Sequence, residues 1–289
     1  MFINKLKTIL LLSILSGICL LMGELIGGNQ GLIAAFIMAL IFNGIAYFFS
    51  DKIVLRLYKA QPLDRETYDW IYALVEELRT NMGLPMPKLW LITTPAANAF
   101  ATGRSPQHAS IALTTGILSI LDHHELRGVL AHELSHIHNR DILITTLAAT
   151  ISTTICYCAY ILRNVAYRAR RKSSNVGITF LAFIIIPIVT LLIQLIVTLI
   201  QLAISRSREY LADETGAHAC QDPLALASAL EKIDAATKTT HFDQSKAAQA
   251  TIAHLLIINP VFNNWFSTHP PVQERVNRLK KIFEQQHLS

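Results

Sequence analysis

Long apolar stretches and segments of mixed polarity take turns along this chain. Residues 8–27 are almost wholly apolar, a second apolar run covers 32–50, and only the turn Gly28-Asn29-Gln30-Gly31 separates them. Each run is long enough to cross a hydrocarbon core as a helix, so the pattern predicts a transmembrane hairpin over residues 1–50. The first run is longer than the core of a secretory signal, no small-x-small site ends it, and Ile18 before Cys19 does not suit a lipoprotein site. It reads as an uncleaved anchor. Lys5 and Lys7 precede the hairpin, Lys52, Arg56 and Lys59 follow it, and the turn is uncharged. The bias of basic residues toward the inner face then puts both ends in the cytoplasm.

From 51 to 141 the pattern becomes that of a water-facing fold. Apolar Trp70, Ile71, Leu74, Val75 and Leu78 recur at helical spacing, which predicts a helix over 65–82 ended by Gly83. Lys88 to Thr94 and Ala109 to Thr114 read as short strands of a small sheet. Between them Asn98-Ala99-Phe100-Ala101-Thr102-Gly103 is either an edge strand able to hold an extended peptide by main-chain hydrogen bonds, or a plain connecting strand and turn. Asp122-His123-His124-Glu125 has the form of a capping box, so a helix begins there, with Leu126, Val129, Leu130, Leu134 and Ile137 as its apolar stripe.

Residues 142–162 and 177–204 contain no charged side chain. The latter would extend roughly 42 Å as a helix, beyond a typical hydrocarbon thickness, so it must tilt, bend at Pro187 or continue into water. Between them lie Arg163, Arg168, Arg170, Arg171 and Lys172. If both segments span, this basic loop falls on the side opposite a cytoplasmic domain, against the charge bias. Either the first hairpin dominates topology, or 142–204 is a long helical hairpin that does not fully cross. The loop suits anionic headgroups of the lipid bilayer in both cases. Residues 205–289 read as helices. Asp222-Pro223 starts one, and Pro270-Pro271 introduces a last one from Val272 to about Phe283, with its lysines and arginines on a wet face.

The expected fold is therefore α+β and mainly helical, an integral membrane protein with about four apolar helices and a small β-sheet. It divides into 1–50, 51–141, 142–204 and 205–289. Composition agrees: 52% of the 289 residues are hydrophobic, 16% are charged, and the mean hydropathy is +0.39. A net charge of +5, carried largely beside apolar segments, implies no nucleic acid partner. Cys19, Cys156, Cys158 and Cys220 form no C-x-x-C pair and point to neither a disulfide framework nor a thiolate site.

Chemistry enters at His132-Glu133-Leu134-Ser135-His136. Positions i and i+4 stack on one helix face, so the two histidines can present imidazole nitrogens to one metal while Glu133 projects beside them. A catalytic zinc typically takes three protein ligands and keeps a position for water. Glu209 is the candidate third ligand. It lies in Ser205-Arg-Ser-Arg-Glu-Tyr-Leu-Ala-Asp213, where Glu209 and Asp213 are again i and i+4, the spacing for a ligand plus a carboxylate that orients a ligand histidine. The bland reading is a surface helix with Arg206 and Arg208 paired to those acids. His136 precedes Ile142 by six residues, roughly 9 Å along a continuous helix, and Glu209 follows the end of the last apolar segment by a similar distance. Both ligand sets thus emerge at one level of the membrane. Three ligands and a neighbouring base favour a zinc peptidase over a non-catalytic zinc-binding scaffold or sensor, because structural zinc sites are usually closed by four ligands.

The motifs Asn98-Ala-Phe-Ala-Thr-Gly103, Leu130-Ala-His-Glu-Leu-Ser-His-Ile-His-Asn-Arg-Asp141, Ser205 to Asp213 and Ser267-Thr-His-Pro-Pro271 occur in the order seen in the HtpX-type membrane zinc metallopeptidases, relatives of the CAAX prenyl endopeptidases. The resemblance covers nearly the whole chain. It implies one Zn2+ per subunit on His132, His136 and Glu209, with Glu133 as general base, and a gluzincin-like fold of helices over a small sheet. His269 becomes a candidate oxyanion donor or a helix-capping residue, and Asn98, Ala99 and Phe100 become candidate substrate-binding residues. The resemblance also implies a multi-pass protein of the bacterial inner membrane with a cytoplasmic catalytic domain. Such a protein would cleave misfolded or unassembled membrane proteins alongside other quality-control proteases, in response to stress. His123, His124 and His138 fall outside the ligand spacing and read as ordinary polar positions.

Overall fold

The structure, a computed structural model, describes residues 2–143, 146, 206–239 and 270–287. Most of the two later apolar segments, the basic loop between them and His269 lie outside the described residues.

The first helix, α1, runs over Phe2–Leu57 and breaks at Gly28, whose φ of 55° and ψ of −142° no helix contains. The chain doubles back there. Asn43 donates from Nδ2 to Ser16 Oγ at 2.7 Å, and these two residues lie equally far from the Gly28 to Gly31 turn. Among the described residues, Gly28–Ile45 is the one stretch long and apolar enough to cross a membrane. Ile33, Phe36, Leu40 and Phe48 lie along it or just beyond it with their side chains exposed.

Beyond the apolar run, α1 continues beneath a four-stranded mixed sheet ordered β1-β2-β4-β3, with β1 Gln61–Pro62, β2 Lys88–Ile92, β3 Ala99–Gly103 and β4 Ala109–Thr114. β2 and β4 pair in parallel, and the other two pairings are antiparallel. Because strand side chains alternate between faces, Trp90, Ile92, Phe100 and Ala112 face Val54, Leu55 and Tyr58 of α1. Leu89, Ala99, Ala101, Ile111 and Leu113 face the main core. Arg104, just past β3, donates to the Phe48 carbonyl at 3.4 Å, so strand and α1 meet at that level.

The main core is closed by α2 (Asp69–Asn81), the short α3 (Thr115–Ile120) and the central α4 (His123–His138). Helix α2 starts four residues later than the apolar pattern predicts. Asp64 accepts the backbone N–H of Thr67 at 3.1 Å and its hydroxyl too, and this local turn competes with the first helical turn. The capping box of α4 forms as read: Asp122 accepts from Glu125 N–H at 2.9 Å, and the Glu125 carboxylate accepts from Asp122 N–H at 3.0 Å. On α4's first turn, His123 stacks on Trp70 at 4.1 Å.

Against the far side of α4 lie α5 (Arg206–Cys220), α6 (Pro223–Thr239) and α7 (Val272–His287). Asp222 caps α6 by accepting Ala225 N–H at 3.0 Å, with Pro223 in the first turn. Helix α4 does not run on to Ile142 as the spacing argument assumed. It stops at Asn139, Arg140 takes a left-handed φ of 57°, and Asp141 N–H returns to the His136 carbonyl at 3.2 Å.

Candidate active site

Helix α4 presents His132 and His136 one turn apart, with their Nε2 atoms 3.2 Å from each other. Glu209 on α5 reaches the same point, 3.6 Å from His132 Nε2 and 3.7 Å from His136 Nε2. All three ligand atoms lie within 4.8 Å of one another and could hold one metal ion. Two imidazole nitrogens and one carboxylate oxygen are the donor types a catalytic zinc takes, so the residues fit the ion.

Helix α5 comes this close because Gly216 faces α4. A β-carbon on Gly216 would lie 3.0 Å from the His132 backbone nitrogen. Glu209, Asp213 and Gly216 share one face at helical spacing, and both acids are buried, which excludes the surface-helix reading.

Each histidine has a carboxylate behind it. Asp213 Oδ1 lies 3.0 Å from His132 Nδ1, and Asp141 Oδ2 lies 3.3 Å from His136 Nδ1. These partners leave the Nε2 atoms as the inward donors and raise their basicity. Burial opposes the charged form of His132, yet Asp213 and Glu209 hold its pKa above the ordinary value. Burial likewise opposes charge on His136, but Asp141 and Glu209 push it up to about 10.

Glu133 is buried between α4 and the sheet, where one carboxylate oxygen accepts the Ala101 N–H of β3 at 2.7 Å. Burial raises its pKa, opposed by the nearby His132 and His136 and reinforced by Glu209. β3 is an edge strand of the sheet, as one reading of Asn98 to Gly103 requires. Asn98 is buried, and its main chain is held by Thr114, which accepts its N–H at 2.9 Å and donates backbone N–H to its carbonyl at 3.0 Å. Ala99 faces the α4 side, whereas the Phe100 ring packs on Tyr58 on the opposite face. At the far end of β3, Thr146 accepts Gly103 N–H at 3.1 Å.

Arg275 of α7 is one residue that sequence reasoning missed. The charged residues of this helix read as its wet face, but Arg275 is 0% exposed. Its Nε and Nη2 donate to the two Asp213 oxygens at 2.8 and 2.6 Å, and Nη1 lies 3.8 Å from Glu209 Oε2. Burial raises the Asp213 carboxyl, but the adjoining guanidinium outweighs it and lowers the pKa to about 2. The available signal was spacing: Arg275 shares a helix face with Val272, Val276 and Leu279, three apolar residues of α7's inner side. Asp141 was also missed as a partner of His136, although Asn139-Arg140-Asp141 breaks the apolar pattern just before Ile142.

Two imidazoles and a carboxylate converging beside a buried glutamate define the class of metal-dependent hydrolases. The chain belongs to peptidase family M48, whose profile matches residues 65–283, and it is a zinc metallopeptidase. It is 44% identical to a protein named "Protease HtpX homolog" from Sulfurihydrogenibium sp. (strain YO3AOP1), over 96% of both chains. Homologues of the same name from Persephonella marina, 44% identical with 96% of this chain and 97% of the relative covered, and from Pyrococcus furiosus, 45% identical with 96% and 95% covered, match as fully. Among solved structures, S. mikatae Ste24p is similar at a TM-score of 0.49 and 19% identity, over 96% of this chain and 65% of that one.

Proposed function

We propose that this protein is a membrane-bound zinc endopeptidase that cleaves unfolded or damaged membrane proteins at the cytoplasmic face. The observation that carries the reading is the convergence of His132 Nε2, His136 Nε2 and Glu209 next to Glu133, at the edge of a sheet. His132, His136 and Glu209 are the ligands. A zinc ion held there supplies Lewis acidity toward water and the scissile carbonyl. Glu133 takes the proton of the attacking water and hands it to the leaving amine, and its burial supports this role by raising its proton affinity toward the working pH. Asp213 holds His132 in orientation.

The outer main chain of β3 at Ala99 aligns an extended substrate segment, which selects unfolded or looped chain over intact helices. The apolar stretch Gly28–Ile45 runs, through the end of α1, into the support beneath that strand, so substrates are cut close to the bilayer. Residues 1–50 and 142–204 serve as membrane hairpins, while 51–141 and 205–289 form the two halves of the catalytic unit. The inner membrane is the seat of this quality-control activity, with His269 entering as a donor to the developing oxyanion.

The test pairs the wild type with Glu133→Gln, both purified in detergent without metal, supplied with zinc and followed on casein with metal content measured. Both proteins bind about one zinc, and the variant loses about 10²-fold or more in rate. Equal rates would remove Glu133 from the chemistry. Zinc binding without cleavage by either protein would favour the scaffold or sensor.

A further inference from the structure

We propose that Arg275 is a positioning residue of the metal centre, gripping Asp213 so that this carboxylate fixes the His132 imidazole. The inference rests on the zinc-peptidase reading above. Removing a guanidinium from water is costly unless it is paired with good geometry, so a fully buried arginine requires a partner held in place. Asp213 is that partner, with both oxygens engaged by the fork of Nε and Nη2. A carboxylate gripped at two points cannot rotate about its own axis, and its Oδ1 is the same atom that lies 3.0 Å from His132 Nδ1. The fork on Asp213 and the close approach of Asp213 to His132 therefore connect α7 through α5 to α4.

A second contact comes from the same side chain. Nη1 points toward Glu209 Oε2 at 3.8 Å, and Nη2 is 3.4 Å from His132 Nε2 itself. One guanidinium thus touches or neighbours two of the three candidate ligands and the carboxylate behind one of them. A residue that only fastened α7 to α5 would need the Asp213 fork alone. Lysine cannot replace this arrangement, because a single ammonium does not present two parallel N–H groups to one carboxylate.

The experiment is done in the Glu133→Gln background, so that zinc binding is read apart from cleavage. Zinc affinity is measured by chelator competition for that parent and for Arg275→Lys, Arg275→Met, Asp213→Asn, Arg275→Met with Asp213→Asn, and Lys280→Met, an exposed position of the same helix. The expected result is a 10–100-fold weaker zinc affinity for Arg275→Met, a smaller loss for Arg275→Lys, and parent affinity for Lys280→Met. The double variant is expected to be no weaker than the worse single one, since both changes break one relay. In the active protein, zinc-saturated Arg275→Lys is expected to lose kcat at unchanged KM. A parent protein that takes up no zinc overturns the peptidase reading and this inference with it. Zinc uptake by the parent, with Arg275→Lys and Arg275→Met matching it, overturns this inference alone, as does additivity in the double variant.

Discussion

Asp141 occupies the turn after α4 and sits behind His136 as Asp213 sits behind His132. Arg208, itself buried, brings its charge near Asp141 and Glu209. Replacing Asp141 by asparagine keeps the shape and removes the charge. Zinc affinity is expected to fall about 10-fold with thermal stability little changed, as read by chelator competition and a melting curve. An unchanged affinity would show that the His136 contact orients nothing. At this scale the ligand motif was legible because i, i+4 spacing on a helix places side chains directly: His132 with His136, and Glu209 with Asp213. Arg275 and Asp141 were not legible in the same way. Arg275 meets a partner 62 residues away, and Asp141 meets His136 only because Arg140 turns the chain left-handed.

Among the elements, α4 is held at its start as firmly as at its metal-facing turns. The Glu125 carboxylate closes the capping box and also accepts the Ser228 hydroxyl at 2.6 Å and the Lys232 ammonium at 2.7 Å, tying α4 to α6. Burial pushes the Glu125 pKa up, but Lys232, Ser228 and the Asp122 N–H outweigh it and bring it below the ordinary value of 4.5. A depressed carboxyl contributes stability that is complete above its unfolded value and lost as pH falls through the folded one. Glu125→Gln can still close the box but gives up the charge. It is expected to destabilise by about 1 kcal/mol near neutral pH, with the gap to wild type shrinking below pH 4.5. Melting temperatures across roughly pH 3–8, a range that brackets the ordinary carboxylate value, measure this. A gap independent of pH would mean that packing, not charge, was lost. The capping box was readable letter by letter, as were the Asp222-Pro223 start and the strand at Ala109. The four-residue error at the start of α2 came from the Asp64 turn, whose hydrogen bonds compete locally with a helix that the apolar spacing alone favours.

Across the whole molecule, the candidate ligands come from two stretches of chain separated by the apolar segments: α4 before them, α5 after them. A metal joining α4 to α5 is therefore a cross-link between distant parts, and its binding energy is folding energy. With free zinc at about 100 times the dissociation constant, the metal adds about 2.7 kcal/mol. Stripping it with a chelator from Glu133→Gln protein is expected to lower the melting temperature by roughly 5–10 °C. A melting curve indifferent to the chelator would mean that α4 and α5 are fixed without the ion. The hairpin at Gly28 and the general mixture of helices with a small sheet were visible in the apolar pattern, since length and periodicity encode them directly. How α7 closes over α5 was not visible, because that contact depends on surfaces far apart in the chain.

The same separation has a meaning in time. His132 and Arg275 are 143 residues apart, and Arg275 lies in the first turn of α7. At a synthesis rate of ~5–20 residues per second, roughly 7–30 s pass between the addition of the first histidine and the addition of the arginine. Throughout that interval the growing chain lacks the guanidinium that grips Asp213, so the metal centre gains its last support only after both candidate ligand helices have been made.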